Sequence, residues 1–486
     1  MPADSAPGPD GFPVSFYRAA WELVGLNFVE AVQDFFGGGS LNRGISSSRV
    51  VLIPKMKNPT LIKHFRPICL CNVSYKILAT VIGRRIARII PEVVYEEHHG
   101  FIKGRSIQGA VGIASELVKD NNKRVVGSNV ILQVDMNEAY DKMEWCFIIR
   151  VMRKLGFQDW FCDICYRCYS SPWLSVSLLG KSFGFFKYSR GVRQGDPLSP
   201  FLFVLAQNAL SRNLNRCLAE GKLKPFHGRG NTGCISHLMF ADVILVFTNG
   251  CCRSLCHLRG ILGNYARLSG QEINTEKSHV FISEKCPERR CREIQQILGC
   301  RRKRFLMLYL GVPISYGCIR KQHFNDILDR LLGRIFSSKN KLLFFGGRVM
   351  LINSVLTSIP MHTFSVIKPP KGTVERMEKI LNDFLWDAKR EGRCHWASWK
   401  RLARPVEDGG VGLRDIQETI LCLQAKLAWE IIGGETLWAK FFNRCYKWQA
   451  VAVTHGASVL EKCMFSHLES LSKYTRWVVG RRDISF

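Results

Sequence analysis

Two aspartates follow apolar stretches that are rich in strand-forming residues. Asp135 comes after the run "NVILQV", and Asp242 lies between the apolar halves of "HLMFADVILVF". An acid at the end of a buried strand is costly unless it binds something positive. If the two strands are neighbours in one sheet, the carboxylates converge and can bridge divalent cations that promote phosphoryl transfer. The alternative is a pair of helix caps or surface acids, and these two residues alone leave the choice open.

A glycine-flexed loop and a lysine add polar donors. In "RGVRQGDPLSP", Arg190 and Arg193 offer forked donors to phosphate, and the Gln194 amide can bond a base or a sugar edge. Lys277, in "SGQEINTEKS", can donate a proton to a departing pyrophosphate or pair with an acid. A loop with two solvated arginines is the alternative, and the lysine by itself is uninformative.

The charge of the chain is its most unusual bulk property. The 486 residues include 69 Lys and Arg against 40 Asp and Glu, a formal net charge of +29. Such a surface attracts polyanions, most often phosphate backbones, with binding that weakens as salt rises. An apolar fraction of 47% is typical of a folded protein and excludes a disordered chain. A basic protein without a nucleic-acid partner is the alternative.

The cysteines and the apolar segments bear on the compartment. The 19 cysteines are scattered, so we expect free thiols in a reducing intracellular compartment, nuclear or cytoplasmic. No apolar run is long enough for a bilayer span and no secretion signal opens the chain, so no membrane association is expected. No zinc is expected either, because two local clusters lack a partner pair at finger spacing: Cys162, Cys165 and Cys168, and Cys251, Cys252, Cys256 and His257.

Hydrophobic periodicity predicts the elements that position these residues. It predicts helices over residues 14–36, over 74–90 with an end near Pro91, and over 200–218, and helical patterns dominate from about residue 286. It predicts strands over 48–55 and 130–135, a hairpin in "SPWLSVSLLGKSFGFFKY" and a second hairpin over 234–247. Since no βαβ unit carries a glycine-rich phosphate fingerprint, this order favours an α+β fold over a doubly wound one.

Seven segments stand in a fixed order along the chain. They are "FRPICLCNVSYKI", "GFIKGRSI", "DMNEAYDKMEW", "RGVRQGDPLSPFLF", "HLMFADVILVF", "SGQEINTEKS" and "YLGVPI". Together they resemble the reverse transcriptase region of LINE-type non-LTR retrotransposons, especially those of plants. The resemblance implies a right-hand polymerase with fingers at 1–128, a palm of antiparallel strands at 129–285, a thumb-like helical region at 286–400 and a C-terminal helical extension at 401–486.

The resemblance also implies residue roles. Asp135 and Asp242 match metal ligands that, with a backbone carbonyl near Met136, would hold two Mg²⁺ ions, with Mn²⁺ as the alternative. Lys277 matches the general acid, and Tyr140 matches the aromatic that selects deoxynucleotides by crowding the sugar 2′ position. The implied reaction copies an RNA template into DNA from a primer or target 3′-hydroxyl with dNTPs. Template or nucleotide contacts are implied for Arg66, Lys103, Arg105, Gln194 and Gly195, beside Arg190 and Arg193.

One position departs from the family pattern. The catalytic box ends in Asp242-Val243, so a valine replaces its second aspartate. Because successive strand side chains point to opposite faces, we expect Asp242 to be the stronger ligand and the lost acid to have acted less directly. The loss predicts a rate lower by about a hundredfold. The alternatives are a catalytically inactive nucleic-acid-binding protein and, third, a maturase-like splicing protein. The match begins close to Met1, which predicts a truncated element without the family's endonuclease.

Overall fold

The computed structural model describes residues 1–3, 5–229, 235–304, 306–317, 319–336, 343–387, 395–446 and 458–475. The N-terminal part consists of α1 (Val14–Ala19), α2 (Trp21–Phe36), α3 (Arg43–Ser46), β1 (Ser48–Pro54), β2 (Phe65–Cys71), α4 (Val73–Val93) and α5 (Ile107–Asp120). The central part consists of β3 (Asn129–Asn137), α6 (Trp145–Lys154), α7 (Asp159–Ser170), β4 (Trp173–Leu178), β5 (Lys181–Lys187), α8 (Ser199–Ala219), β6 (His237–Phe240), β7 (Val243–Asn249), α9 (Cys252–Ser269), β8 (Glu272–Ile273) and β9 (His279–Ile282).

The C-terminal part is mainly helical, as the sequence predicted. It contains three short strands and a set of helices, together with a π-helical turn at Ile352–Leu356. The strands are β10 (Arg301–Arg302), β11 (Met307–Tyr309) and β12 (Val312–Ile314). The helices are α10 (Glu288–Leu298), α11 (Asn325–Ile335), α12 (Phe345–Leu351), α13 (Ser358–Phe364), α14 (Lys371–Trp386), α15 (Trp399–Leu402), α16 (Ile416–Gly433), α17 (Leu437–Tyr446) and α18 (Val459–Tyr474).

The largest sheet lies in the middle of the chain. Its strand order is β10-β9-β3-β7-β6, and β8 pairs with the end of β3. The pairs β3–β7, β3–β9 and β6–β7 are antiparallel, so the antiparallel palm sheet predicted from the sequence is confirmed. Because β3 is central, its last residues lie beside the turn that joins β6 to β7.

Both faces of this sheet are covered. Val130, Leu132 and Val134 of β3 pack into one apolar cluster with α6, α8 and α9. Ile131 of the same strand packs into a second cluster with α5 and the C-terminal helices. Burial on both faces explains why β3 is an almost unbroken apolar run instead of an alternating one.

A second sheet joins segments that are distant in the sequence. Its order is β2-β1-β4-β5, with β1 antiparallel to β2 and parallel to β4. Ser48 of β1 is the register partner of Leu174 of β4. The β4–β5 hairpin, which lies within the predicted palm segment, therefore completes a sheet that begins in the predicted fingers segment.

Two helices differ from their predicted bounds. The helix predicted over residues 14–36 is broken at Ala20, which leaves the helical conformation at φ −98° and ψ 12°; no residue type there indicates the break. Helix α4 continues past Pro91 to Val93. A proline so near the helix end removes only one backbone bond, and the Arg105 guanidinium donates to the carbonyls of Pro91 and Val94.

Most of the remaining strands and helices agree with the sequence predictions. The strands at β1 and β3, the helix α8 and the two hairpins β4–β5 and β6–β7 are present. Strand β2, in "FRPICLC", was not predicted as a strand. The cysteines Cys162, Cys165 and Cys168 are buried on α7. Over the described parts of the chain, none of the helices combines the length and the apolar character that a bilayer span requires.

Candidate active site

The first aspartate is fixed at the end of the central strand. Asp135 is half-buried near the C-terminal end of β3. Its N–H donates to Ser278 Oγ at 3.1 Å, and its carbonyl accepts from the Asn274 N–H at 2.8 Å. Both partners belong to the turn between β8 and β9 that also carries Lys277. The backbone of Asp135 and the predicted general acid are therefore held by the same segment.

The second aspartate occupies the turn of a hairpin. Ala241 and Asp242 join β6 to β7, and Ala241 has a φ of +49°, which suits the first position of a tight two-residue turn. The Met136 N–H donates to the Asp242 carbonyl at 3.2 Å and ties the turn to β3. Gly100 packs closely on the other side, since a Cβ there would lie 3.1 Å from the Ala241 nitrogen.

Several charged and polar side chains lie near one another around the β6–β7 turn and the end of β3. Burial raises the pKa of Asp135, the Lys277 ammonium lowers it, and the Asp242 carboxylate raises it. Burial and the Asp242 charge raise the pKa of the Tyr140 hydroxyl. Such effects are strong only between close neighbours. The structure thus brings together Asp135, Asp242, Lys277 and Tyr140, which are widely separated in the sequence.

The valine of the catalytic box faces the first aspartate. In the antiparallel pairing of β3 with β7, Val243 is the register partner of Asp135. Directly opposed residues share one face of the sheet, with Cβ atoms about 5 Å apart. Asp242 lies in the turn instead of in a strand, so the alternation expected between residues 242 and 243 does not apply. A side chain at residue 243 therefore lies on the Asp135 side of the sheet, and the less direct role expected for the lost acid stays a prediction.

Oxygen atoms are the donors that this site offers to a cation. The Asp135 and Asp242 carboxylates and the nearby backbone carbonyls are hard ligands of the kind that Mg²⁺ prefers, and Mg²⁺ keeps several of its own waters. In the part of the chain that the structure describes, no three His, Cys, Asp or Glu side chains converge as a metal site. The donor set therefore fits a Mg²⁺ ion but contains two side-chain ligands, with the isopropyl group of Val243 opposite Asp135.

The loop with Gln194 and Gly195 lies between the two sheets. The Gln194 carbonyl accepts from the Cys69 N–H of β2 at 2.7 Å, and its Nε2 donates to Asp141 Oδ2 at 3.0 Å. Gly195 has a φ of +104°, and a Cβ there would lie 2.8 Å from the Cys69 carbonyl oxygen. Only glycine fits such a position without strain. The loop thus links the sheet of β1, β2, β4 and β5 to the palm.

Three of the side chains predicted to bind template or nucleotide face solvent. Arg66 lies on β2, Lys103 precedes α5 and Arg190 follows β5, and all three are exposed. Arg190 comes within 3.7 Å of Glu144, an exposed ion pair of little strength. These three cations can therefore reach a phosphate without breaking a buried contact.

Two further arginines are bound to the protein itself. Arg193 is 1% exposed, pairs with Asp196 at 2.7 Å and lies 4.1 Å over the Tyr75 ring. Arg105 donates to the carbonyls of Val94 and His98, each at 2.8 Å, beyond the end of α4. In this structure the terminal guanidinium nitrogens of both arginines donate to acceptors of the protein itself, and their predicted phosphate contacts stay predictions. Both arginines hold loops of the fold in place.

Asp141→Asn is expected to stabilise the fold at neutral pH. Burial, and next the charge of Glu138, raise the pKa of Asp141 to about 6. The folded state therefore binds this proton more tightly than the unfolded chain, and the carboxylate costs stability as pH rises from about 4 to about 6. Asparagine keeps an acceptor for Gln194. Denaturant unfolding should show a gain of about 1 kcal/mol near neutral pH that shrinks toward about pH 4.

The matched control for this prediction is Asp159→Asn, whose carboxylate is 80% exposed. It should show no gain that depends on pH. A gain of equal size at neutral and acidic pH for Asp141→Asn would contradict the titration of this carboxylate as the cause.

Helix α8 contacts the site in a way that was not predicted. Residues four apart lie above one another on a helix face, and four such side chains form a row, the α8 stripe, that reaches the catalytic segments in turn. Its members are Phe203, stacked 4.4 Å from the Tyr140 ring, Gln207, donating to the Ala241 carbonyl at 2.7 Å, Ser211, 2.6 Å from His237 Nε2, and Asn215, accepting from Ser236 Oγ at 2.8 Å. Their spacing of four is the sequence signal that points to this row.

Gln207→Leu is expected to lower the rate of nucleotide addition about tenfold. The Gln207 side chain is fully buried and its amide holds the turn before Asp242 through the Ala241 carbonyl. Leucine fills similar space but removes the donor that this part-buried carbonyl has in the parent chain. In primer extension across a Mg²⁺ titration, the half-saturating Mg²⁺ concentration should rise while the primer–template Kd stays constant.

Asn213→Leu is the control on the same helix, since among the described residues the Asn213 side chain accepts hydrogen bonds from Arg216 and Cys217 of α8. It should leave the Mg²⁺ dependence unchanged. If Gln207→Leu weakened primer–template binding as much as it slowed extension, the positioning role would be excluded.

Comparison with known families gives the class of the protein. Residues 53–314 match the reverse transcriptase (RNA-dependent DNA polymerase) family. The match covers more than half of the chain and includes Asp135, Asp242 and Lys277. The chain belongs to this family, whose members use divalent metal ions. Its fold is accordingly the α+β right-hand polymerase that the motifs predicted.

Individual relatives indicate the kind of element. The transposon TX1 149 kDa protein of Xenopus laevis is 26% identical over 86% of this chain and 31% of its own length. The Pol polyprotein of the type-2 retrotransposable element R2DM of Drosophila melanogaster is 28% identical over 78% of this chain and 35% of its own length. A mitochondrial protein of Arabidopsis thaliana is 48% identical over 54 residues, which are 11% of this chain and 44% of that protein.

The chain spans about a third of the length of the first two relatives. These matches confirm the predicted identity at the level of the domain, which is the reverse transcriptase domain of a non-LTR retrotransposon.

Proposed function

We propose that this domain copies an RNA template into DNA by adding dNTPs to the 3′-hydroxyl of a primer or target strand. The observation that carries the proposal is the meeting of Asp135, at the end of β3, with Asp242, in the β6–β7 turn. Two carboxylates that are forced together at a basic surface need cations, and the phosphates of a dNTP need the same cations.

Each residue of the site has a proposed role. Two Mg²⁺ ions, when bound, supply the charge that stabilises the attacking and leaving oxygens; Asp135, Asp242 and a carbonyl near Met136 would hold them. The primer 3′-hydroxyl loses its proton to solvent, and its oxygen forms a bond to the α-phosphorus as the bond to pyrophosphate breaks. Lys277, whose charge acts on Asp135, gives a proton to the pyrophosphate. Tyr140, stacked against Phe203, excludes a sugar 2′-hydroxyl.

The nucleic acid is proposed to bind through exposed cations and a backbone-defined loop. Arg66, Lys103 and Arg190 face solvent around the site and can neutralise phosphates. Gln194 and Gly195 are proposed to lie beneath the templating base pair, where the compact backbone of Gly195 permits close approach. The formal net charge of +29 predicts affinity that falls steeply with salt.

A second candidate function rests on Val243. With an apolar side chain opposite Asp135, the domain can keep its nucleic-acid-binding surface while its rate of chemistry is too low to matter. In that case the protein binds primer–template complexes in a salt-dependent manner without incorporating nucleotides.

Finer features of the element and of the domain are also proposed. The 48% identity to the Arabidopsis thaliana protein over 54 residues supports a plant element. We propose fingers at 1–128, a palm at 129–285, a thumb-like region at 286–400 and a helical extension at 401–486, with the β4–β5 hairpin reaching from the palm into the sheet of the fingers. The scattered thiols of the chain, such as those buried on α7, suit a nuclear or cytoplasmic site.

Primer extension separates the two candidate functions. The assay uses the purified chain, an RNA template with an annealed DNA primer, dNTPs and Mg²⁺, and binding is measured in parallel at low and high salt. Incorporation that requires Mg²⁺ supports the polymerase. Salt-dependent binding without incorporation supports the inactive binding protein, and binding that does not change with salt contradicts both.

A further inference from the structure

The β4–β5 hairpin presents an open edge of its sheet. Strand β5 is the last strand in the order β2-β1-β4-β5, and each of its residues is exposed. Long exposed edges are usually blunted by charges or covered, since they otherwise pair with other chains. An uncovered edge strand with apolar side chains therefore indicates a surface that binds something.

Aromatic side chains dominate this hairpin. Phe183, Phe185 and Phe186 are 51%, 56% and 41% exposed. Phe185 is stacked in parallel on Trp173 of β4, with ring centroids 4.8 Å apart and planes 10° apart. Exposed flat rings of this kind offer stacking partners to unpaired bases, whatever the base sequence.

Two cations lie beside the Trp173 ring, on which Phe185 is stacked. The Arg43 guanidinium lies 4.8 Å from the Trp173 ring centroid, and the Lys187 ammonium lies 5.1 Å from it. No Asp or Glu occurs between Asp34 and Glu92, or between Asp163 and Asp196, and these two stretches contain all four strands of the sheet. The entire sheet is thus basic and free of acids, which complements a phosphate backbone and repels a second copy of this chain.

We propose that this surface binds single-stranded RNA outside the catalytic site, as the part of the template that has not yet been copied. The surface, called here the hairpin platform, is the exposed edge of the hairpin, with Arg43, Trp173, Phe185 and Lys187 on one face and Phe183 and Phe186 on the other. The inference rests on the proposed function, because it assigns a place to the template of that reaction. A protein partner is disfavoured, because the rest of the same sheet carries cations and no acids around these aromatic side chains.

The distance between the Gln194–Gly195 loop and strand β5 fits this role. Gln194 and Gly195 contact β2 at Cys69, and β5 lies three strands further along the sheet. Three strand spacings amount to about 14 Å, which a few nucleotides of an extended strand can span. A template leaving the loop can therefore cross the sheet and reach the hairpin platform.

The test uses two matched triple variants of the full chain. Phe183, Phe185 and Phe186 are changed together to leucine, which stays apolar but cannot stack, or to tyrosine, which keeps the rings. Fluorescence anisotropy gives the Kd for an RNA–DNA primer–template with a short 5′ RNA overhang and for one about ten nucleotides longer. Trp429→Leu, at a half-exposed aromatic on α16, is the control.

The expected result is a tighter Kd for the long overhang in the wild type, the tyrosine variant and the control. The leucine variant should bind the long-overhang duplex about tenfold more weakly than the wild type does. Its Kd for the short-overhang duplex should be unchanged. A full gain in the leucine variant, an equal loss in the folded tyrosine variant, or a change in oligomeric state in place of RNA affinity would each overturn the proposal. A different outcome would separate the two proposals. If both primer–template duplexes bound weakly while free single-stranded RNA still bound through the three phenylalanines, the polymerase function would be refuted and the hairpin platform would stand.

Discussion

Val243→Asp is expected to raise Mg²⁺-dependent primer extension about a hundredfold over the parent chain. Residue 243 is the register partner of Asp135, so the new carboxylate lies on the Asp135 side of the sheet, next to the Asp242 turn. Under the proposed function, three acids would then hold the cations where the parent offers two. Single-turnover incorporation of one dNTP on a primed RNA template measures the change.

Val243→Asp should also change the stability of the fold in a Mg²⁺-dependent way that a charge added elsewhere does not produce. Like charges directly opposite one another across two strands are destabilising, so the metal-free variant should unfold about 0.5–1 kcal/mol more easily than the parent. Added Mg²⁺ should reverse this loss by binding the folded state. Asn264→Asp, at an exposed position of α9, is the control for charge alone. A folded Val243→Asp chain with the parent's rate would show that another defect limits the site.

Asp135→Asn, made in the Val243→Asp chain, is expected to abolish extension with a loss of at least about a thousandfold. Asparagine keeps the backbone bonds to Ser278 and Asn274 and removes only the charge. Since burial and the Asp242 carboxylate already disfavour that charge, the metal-free fold should be no less stable. The measurements are single-turnover extension, thermal unfolding with and without Mg²⁺, and the Kd for primer–template.

Asp163→Asn, at an exposed ion pair with Arg167, should leave all three measurements unchanged. Extension that survives Asp135→Asn would place the metal ligands elsewhere. A loss of stability that matches the loss of rate would indicate that Asp135 supports the fold and not the chemistry.

The palm was predictable because its signals are local and strong. The apolar run before Asp135 and the two halves of "HLMFADVILVF" are each long enough to specify a strand, and the order of motifs fixes which strands belong together. The second sheet, with the order β2-β1-β4-β5, was less predictable. Strand β2 lies in a segment with Pro67, and the parallel pairing of β1 with β4 leaves no periodicity that connects the two segments.

The approach of Asp135 to Asp242 was predictable from the two strand patterns, and the detailed geometry around them was less so. Sequence spacing cannot show that Asp242 lies in a turn and Val243 in a strand, because hairpin register depends on the turn that closes it. It also cannot distinguish the buried Arg193, paired with Asp196, from an arginine that waits for phosphate. The α8 stripe is a property of helix packing, and a single sequence displays only its spacing of four.

The pairing of β1 with β4 also affects how the chain reaches its folded state. During synthesis β1 and β2 emerge early, but β4 and β5 follow only after α4, α5, β3, α6 and α7 have been made. Closing so long a loop costs entropy before its contacts form, which slows folding. Until then β1 presents an unpaired edge of the kind that aggregates. The sheet of β2, β1, β4 and β5 is therefore completed only after part of the predicted palm segment has been synthesised.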